Sequence, residues 1–281
     1  MQLKERLHSE EWIDDHRLEW WDKSFLAVIL HPVINKNNIN ICDFGCGEGH
    51  WLLSASRVMD LSQTNITLVD QESVWLQKAE ERLRPLCKGL LTYQEDVQKL
   101  SFPDASFDFS TCQTLVMHTK DPYSAVSEMI RVTKRGGYLL ICEPVNVINR
   151  CQLALALRYL TPSESSLLLK VWHAYHLGVQ KVKGYHYDIA LEMLDIFRCC
   201  GYSRNEISIY KNSISVVHGN NDGSLESEYH DDNFYYANIG GDITKNEWNV
   251  CRQLSIKLSD LAKDDCTVFT DTLFTFGVII K

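Results

Sequence analysis

The segment Asp43-Phe44-Gly45-Cys46-Gly47-Glu48-Gly49 constrains this chain more than any other. It follows a short apolar run, Asn40-Ile41-Cys42-Asp43-Phe44, and precedes a helical stretch from about His50 to Met59. Apolar run, glycine turn and helix in that order predict a strand that hands over to a helix through a tight turn. Glycine there permits positive φ and close approach of backbone to a ligand, and the start of the following helix offers unpaired N–H groups.

The rhythm continues. Asn65 to Asp70 reads as a second strand, and Ser73 to Leu86 as a helix with Trp75, Ala79, Leu83 and Leu86 at helical spacing. Leu90 to Tyr93, Phe107 to Cys112 and Tyr138 to Glu143 read as three more strands. The helix Pro122 to Thr133 lies between the last two, stopped by Gly136-Gly137. Strand–helix alternation predicts an α/β fold of Rossmann-like, doubly wound type with a mostly parallel sheet.

Beyond Glu143 the rhythm changes. Val147 to Leu160 and Ser165 to Val179 read as two helices with no strand between them, which predicts a helical cap over residues 146–185. Tyr187 to Cys200 reads as a helix, Glu206 to Tyr210 as a strand and Thr244 to Ala262 as a helix. His218 to Asp232 is polar and rich in Gly, Asn and Ser, so a surface loop is expected, and no role is assigned to the stretch 218–243. The expected organisation is one domain over 1–281. It has an N-terminal helical segment 1–38, a cofactor-binding core 39–145, the cap 146–185 and the rest of the sheet in 186–281.

Composition narrows the function. A net charge of −9 and the absence of a dense Lys/Arg run argue against nucleic acid, and Lys170, Lys181 and Lys183 form only a modest cluster. No apolar run approaches the roughly 18 residues of a bilayer span, and the charged, aromatic start does not read as a signal peptide, so a cytoplasmic location is expected. The ten cysteines form no C-x-x-C pair, and Cys42, Cys112 and Cys142 sit in apolar runs, so reduced structural thiols and no metal are expected.

The glycine turn discriminates among nucleotide ligands. A dinucleotide fingerprint places its third glycine at the position His50 occupies, and a P-loop needs a Gly-Lys-Ser/Thr that is missing. With Asp43 two residues ahead of Gly45-x-Gly47-x-Gly49, the chain resembles the class I S-adenosylmethionine-dependent methyltransferases. Ser101 to Asp108 and Ser127 to Pro144 resemble the small-molecule branch that contains the ubiquinone- and menaquinone-biosynthesis enzymes. That branch usually carries Lys-Pro-Gly-Gly where this chain has Lys134-Arg135-Gly136-Gly137. The resemblance covers residues 40 to 145 well and 186 to 210 loosely.

The resemblance implies S-adenosyl-L-methionine as cofactor, S-adenosyl-L-homocysteine as product, and a seven-stranded sheet whose reversed last strand is Val268 to Ile280. It implies that Gly45, Cys46 and Gly47 wrap the methionine portion and that Asp43 serves its ammonium end. Asp70 ends the second strand about 20 residues past the glycines, where a carboxylate can accept both ribose hydroxyls, with Gln71 beside it. Asp96 and Val97 match the adenine position, and backbone near Gln113 borders the methionine end.

The methyl acceptor is expected to be a small molecule, held where strands four and five end. Alternatives are an RNA or protein acceptor, or a protein that binds the cofactor without catalysis. His118 and Glu143 are the candidate bases. Trp172, His173, His176 and Tyr185 in the cap are candidate acceptor contacts, and His173 and His176, three apart, are expected on one helical face. Two histidines without a third ligand do not make a metal site. Trp12, Trp20 and Trp21 predict a helix that packs on the sheet or closes the cleft. The acceptor atom and the oligomeric state are left open.

Overall fold

The computed structural model describes residues 15–145, 156–217, 231–264 and 268–281. Seven strands form one sheet: β1 (Asn40–Phe44), β2 (Asn65–Asp70), β3 (Gly89–Gln94), β4 (Phe107–Gln113), β5 (Thr133–Pro144), β6 (Ile207–Val217) and β7 (Val268–Ile279), in the spatial order β3-β2-β1-β4-β5-β7-β6. β1 to β5 pair in parallel, whereas β7 runs antiparallel to both β5 and β6. The order reverses between β1 and β4, so the cleft of a doubly wound sheet opens outside their carboxyl ends.

The helices are α1 (Lys23–Ile29), α2 (His50–Ala55), α3 (Ser73–Leu83), α4 (Pro122–Val132), α5 (Pro162–Lys183), α6 (Ile189–Cys199), α7 (Asp231–Gly241) and α8 (Lys245–Asp264). Short 3-10 turns occur at Asp15–Trp20 and Val116–His118, among others. On one sheet face Ile41, Leu68 and Leu140 pack with Trp21, Ile29 and Trp51. On the other, Phe44, Val69, Cys112, Leu139 and Ile141 pack with Met129 and Phe197. Both faces are covered, which is why the central strands read as near-continuous apolar runs.

A third core lies outside the sheet. Leu168, Val171 and Ala174 of α5 pack with Ala237 of α7 and with Trp248, Cys251, Leu254 and Leu258 of α8. The cap helix foreseen within 146–185 is therefore joined by two helices from 231–264, which the chain inserts between β6 and β7. α5 begins with a capping box in which Thr161 and Glu164 satisfy each other's backbone N–H. α7 falls where no element was foreseen. It forms because glycines let it approach α5 to backbone contact: a Cβ on Gly178 would lie 1.7 Å from the Tyr236 carbonyl oxygen, and one on Gly240 would lie 1.7 Å from that of Ala174.

Smaller differences have local causes. α4 ends at Val132, because Thr133 is already extended, and Gly136-Gly137 instead forms a bulge in β5. Gly136 takes φ +71, and its N–H donates to the Ile280 carbonyl, tying the bulge to the end of the chain. α2 stops at Ala55, and β6 runs to Val217 because it pairs with β7 along its full length. The expected helix 147–160 lies mostly outside the described residues, as do Trp12 and positions 218–230 of the expected loop.

Candidate functional site

The carboxyl ends of β1 and β2 build the first wall. Gly45, Gly47 and Gly49 hold φ of +60, +50 and +79, a backbone path that L side chains rarely follow. A Cβ on Gly45 would also stand 2.5 Å from the Leu115 side chain, so the turn passes under the loop that follows β4. The Cys46 N–H donates to the Val69 carbonyl, and the Gly47 N–H to Asp70 Oδ2 at 3.0 Å. Asp70 Oδ1 accepts from the Glu72 N–H, so this half-buried carboxylate couples the glycine turn to the start of α3. Glu48 braces the same turn from outside through Lys78 at 2.6 Å and Arg82 at 3.5 Å. Nothing in the local pattern had singled out Glu48.

Among the described residues, the buried polar atoms at the cleft that lack hydrogen-bond partners include one on Asp43 and one on Gln113. Asp43 is 1% exposed, and its Oδ2 accepts no hydrogen bond. Gln113, at the end of β4, is 6% exposed, and its Nε2 donates none. Burial, and then the neighbouring Asp70 charge, hold the Asp43 carboxyl well above the usual carboxylate range. Burial likewise raises that of Asp70 against the hydrogen bonds it accepts. Two carboxyls facing each other across a glycine turn favour a cationic guest. An unpartnered acceptor beside an unpartnered donor costs free energy until a ligand with both polarities fills the gap.

The second wall follows β3. Val97 is buried among the apolar side chains of the sheet, and half-buried Asp96 is occupied by Gln98, whose N–H and amide donate to it. Gln98 in turn accepts from the Asp121 N–H, which links this wall to the start of α4. Gln71 is exposed, and its backbone carbonyl accepts from the Gln94 side-chain amide.

The far side of the cleft is formed by the turn after β4. Thr114 has φ +51, and residues 116–118 make one 3-10 turn. Glu143, fully buried at the end of β5, holds that turn: its Oε1 accepts from the N–H groups of Leu115 at 3.0 Å and Val116 at 2.7 Å. Burial pushes its carboxyl up to about 7, against those hydrogen bonds and one from Met117. The geometry thus has Glu143 cap the turn that carries His118.

From His118 a chain of rings runs into the cap. His118 meets Tyr185 edge-on at 5.0 Å, Tyr185 lies 6.5 Å from Tyr187, and Tyr187 lies 4.2 Å from His176. His176 also contacts Trp172 at 4.5 Å and Tyr175 at 5.3 Å, and Tyr175 lies 6.2 Å from Tyr236 of α7. Lys183 Nζ stands over both Tyr185 and Tyr236. The His186 N–H donates to the Met117 carbonyl at 2.7 Å, joining the cap to the turn. His173 does not belong to this group: it is exposed, whereas His176 is half-buried, because α5 covers only a narrow stripe.

The segment that builds this cleft is similar in sequence to methyltransferase domains. Residues 42–141 match the family model described as a methyltransferase domain. An uncharacterized methyltransferase of Schizosaccharomyces pombe is 31% identical over 123 residues, 41% of this chain and 43% of that protein. The chloroplastic 2-methyl-6-phytyl-1,4-hydroquinone methyltransferase 2 of Oryza sativa is 26% identical over 151 residues, 47% of this chain and 42% of that protein. Among solved structures, the YcgJ protein of Bacillus subtilis has the same fold, with a TM-score of 0.52 at 16% identity over 92% of this chain and 100% of its own. The chain spans less than half the length of the curated relatives it matches first. No described helix is long and apolar enough to cross a membrane.

Proposed function

We propose that this protein transfers the methyl group of S-adenosylmethionine to a small acceptor whose ring is held under the cap. The observation that carries the cofactor half is the pair of buried, unpartnered atoms of opposite polarity at Asp43 and Gln113. The glycine turn at Gly45, Cys46 and Gly47 would wrap the methionine end, Asp43 would receive its ammonium group, Asp70 the ribose hydroxyls, and Asp96 with Val97 the adenine. Asp70 and Asp96 already accept hydrogen bonds from the protein, and each carboxylate retains lone pairs for more.

The cofactor, when bound, supplies a methyl group already activated by its sulfonium. What the protein adds is geometry: it holds the acceptor atom in line at about 3 Å in a space closed to water. The rings of Tyr185, Tyr187, His176 and Trp172 would clasp a flat acceptor between the cap and the turn after β4. As the new bond to the methyl carbon forms and the carbon–sulfur bond breaks, a hydroxyl acceptor must lose its proton. His118 would take it, and Glu143, which accepts from the Val116 N–H, would hold the turn that carries His118. A quinol- or phenol-type acceptor suits this ring-lined space and agrees with a relative named for a hydroquinone.

The test is incubation with deuterium-labelled S-adenosylmethionine and a panel of quinols, phenols and alkylamines, read by mass spectrometry. Label transfer to a ring-bearing acceptor, lost in His118→Ala, is expected. Transfer confined to the amines, or to added RNA or protein, would overturn the acceptor class while leaving the cofactor reading in place.

A further inference from the structure

The cleft's polarity is uneven, and that unevenness locates one more piece of the site. Residues alternate faces along a strand. Trp51 of α2 donates its indole N–H to Thr111 Oγ1 at 2.7 Å, which fixes the face of β4 that Thr111 and Gln113 share. β1 pairs with β4 so that Asp43 stands opposite Thr111, on that same face. An acceptor without a partner (Asp43 Oδ2) and a donor without a partner (Gln113 Nε2) therefore lie on neighbouring strand ends under one roof.

The 3-10 turn Asp15–Trp20 lies over this face. It is fastened by Arg57, which donates to the carbonyls of Leu18 at 3.2 Å and Trp21 at 2.8 Å, and by Asn212, which donates to that of Trp20 at 2.7 Å. Trp21 packs on Trp51 at 4.8 Å. From this turn Arg17 reaches across to Thr114 Oγ1 at 3.2 Å, with its guanidinium 5.3 Å from the Trp20 ring. A positive group thus stands beside the residue that follows Gln113.

We infer that Arg17 and Gln113 are the carboxylate-holding half of the cofactor's amino-acid site, and that the turn Asp15–Trp20 completes that site. An α-amino acid carries one cation and one anion a few ångströms apart. Asp43 complements the cation, whereas Gln113 and Arg17 supply the donors the anion needs, with Arg17 adding charge. The inference rests on the reading that this cleft binds S-adenosylmethionine.

Calorimetric titration with three ligands tests it. These are S-adenosylhomocysteine, its decarboxylated analogue S-adenosyl-3-thiopropylamine, and 5′-methylthioadenosine, which lacks the amino-acid end. Wild type should prefer S-adenosylhomocysteine over the decarboxylated analogue by about ten- to a hundredfold, as expected for a charged hydrogen bond. Arg17→Met should erase that preference, Arg17→Lys should keep part of it, and Gln113→Leu should reduce it. Binding of 5′-methylthioadenosine should stay within about twofold in all three, which also certifies folding. An Arg17→Met protein that keeps the wild-type preference, or loses all three ligands alike, overturns the inference. Wild type that binds none of the three would instead overturn the cofactor reading beneath it.

Discussion

Glu143→Gln tests how the buried carboxyl at the end of β5 earns its place. In the folded protein this group has no exposed surface, and its carboxyl is pushed up to about 7 from an ordinary 4.5. Between those values the native state keeps its proton while the unfolded chain has lost it. The native state therefore binds more protons, and stability must fall as pH rises through this window. Its contribution is fully present below about pH 4.5 and is lost once pH passes about 7. At about 1.4 kcal/mol per pH unit, the whole window is worth about 3 kcal/mol, a large part of the stability of an ordinary domain. Glutamine is neutral throughout, and its carbonyl oxygen can still accept the N–H groups of Leu115 and Val116. Guanidinium unfolding of both proteins from pH 4.5 to 8.5 should show the variant gaining on wild type by about 3 kcal/mol across the range. Histidines and other carboxyls titrate in both proteins and cancel in the difference. Parallel pH profiles would refute the reasoning, since they would mean that the N–H groups of the turn outweigh burial and hold Glu143 ionised at every pH.

Three further outcomes are expected. Asp70→Ala should weaken S-adenosylhomocysteine binding by about 1.4–2.7 kcal/mol in calorimetry, with Asp70→Asn milder because it still accepts the Gly47 N–H. His118→Ala should lower turnover by about 10²- to 10⁴-fold while leaving S-adenosylhomocysteine affinity unchanged, read by single-turnover kinetics beside calorimetry. Gly178→Ala places a methyl group 1.7 Å from the Tyr236 carbonyl and must force α5 and α7 apart, so a loss of at least about 1–3 kcal/mol is expected in thermal unfolding.

What could be read from the sequence, and what could not, divides by the range of the interactions. The glycine turn, Asp70 after its strand and Asp96 after the next are set by neighbours in the chain, so strand, turn and acid appear together in a short window. The helix α7 shows the opposite case. Asp231–Gly241 contains two glycines and no clear apolar stripe, and read alone it is a loop. It is a helix because Gly178 and Gly240 each admit the other helix's backbone, a pairing between residues about sixty positions apart that no local pattern carries. The surroundings of Glu143 and His173 are likewise set by residues distant in the chain. At the end of β5, Glu143 Oε1 holds the N–H groups of the turn after β4, a contact that its neighbours in the chain do not announce. Two histidines three apart look equivalent, yet Tyr187 packs on His176 while His173 is exposed.

The same distinction bears on specificity. The cofactor cleft is assembled mainly from strand ends and the turns between them, and both faces of that sheet are held by large cores. The ring cluster is assembled from α5, α7 and the Tyr185–Tyr187 segment, and the cap has a smaller core of its own that is joined to the turn after β4 by the His186 N–H to the Met117 carbonyl. A substitution such as Gly178→Ala, which pries α5 from α7, should therefore impair acceptor methylation more than S-adenosylhomocysteine binding. Equal losses of both would show that cap and cleft fold as one unit, and that acceptor choice cannot be altered through the cap without disturbing the cofactor site.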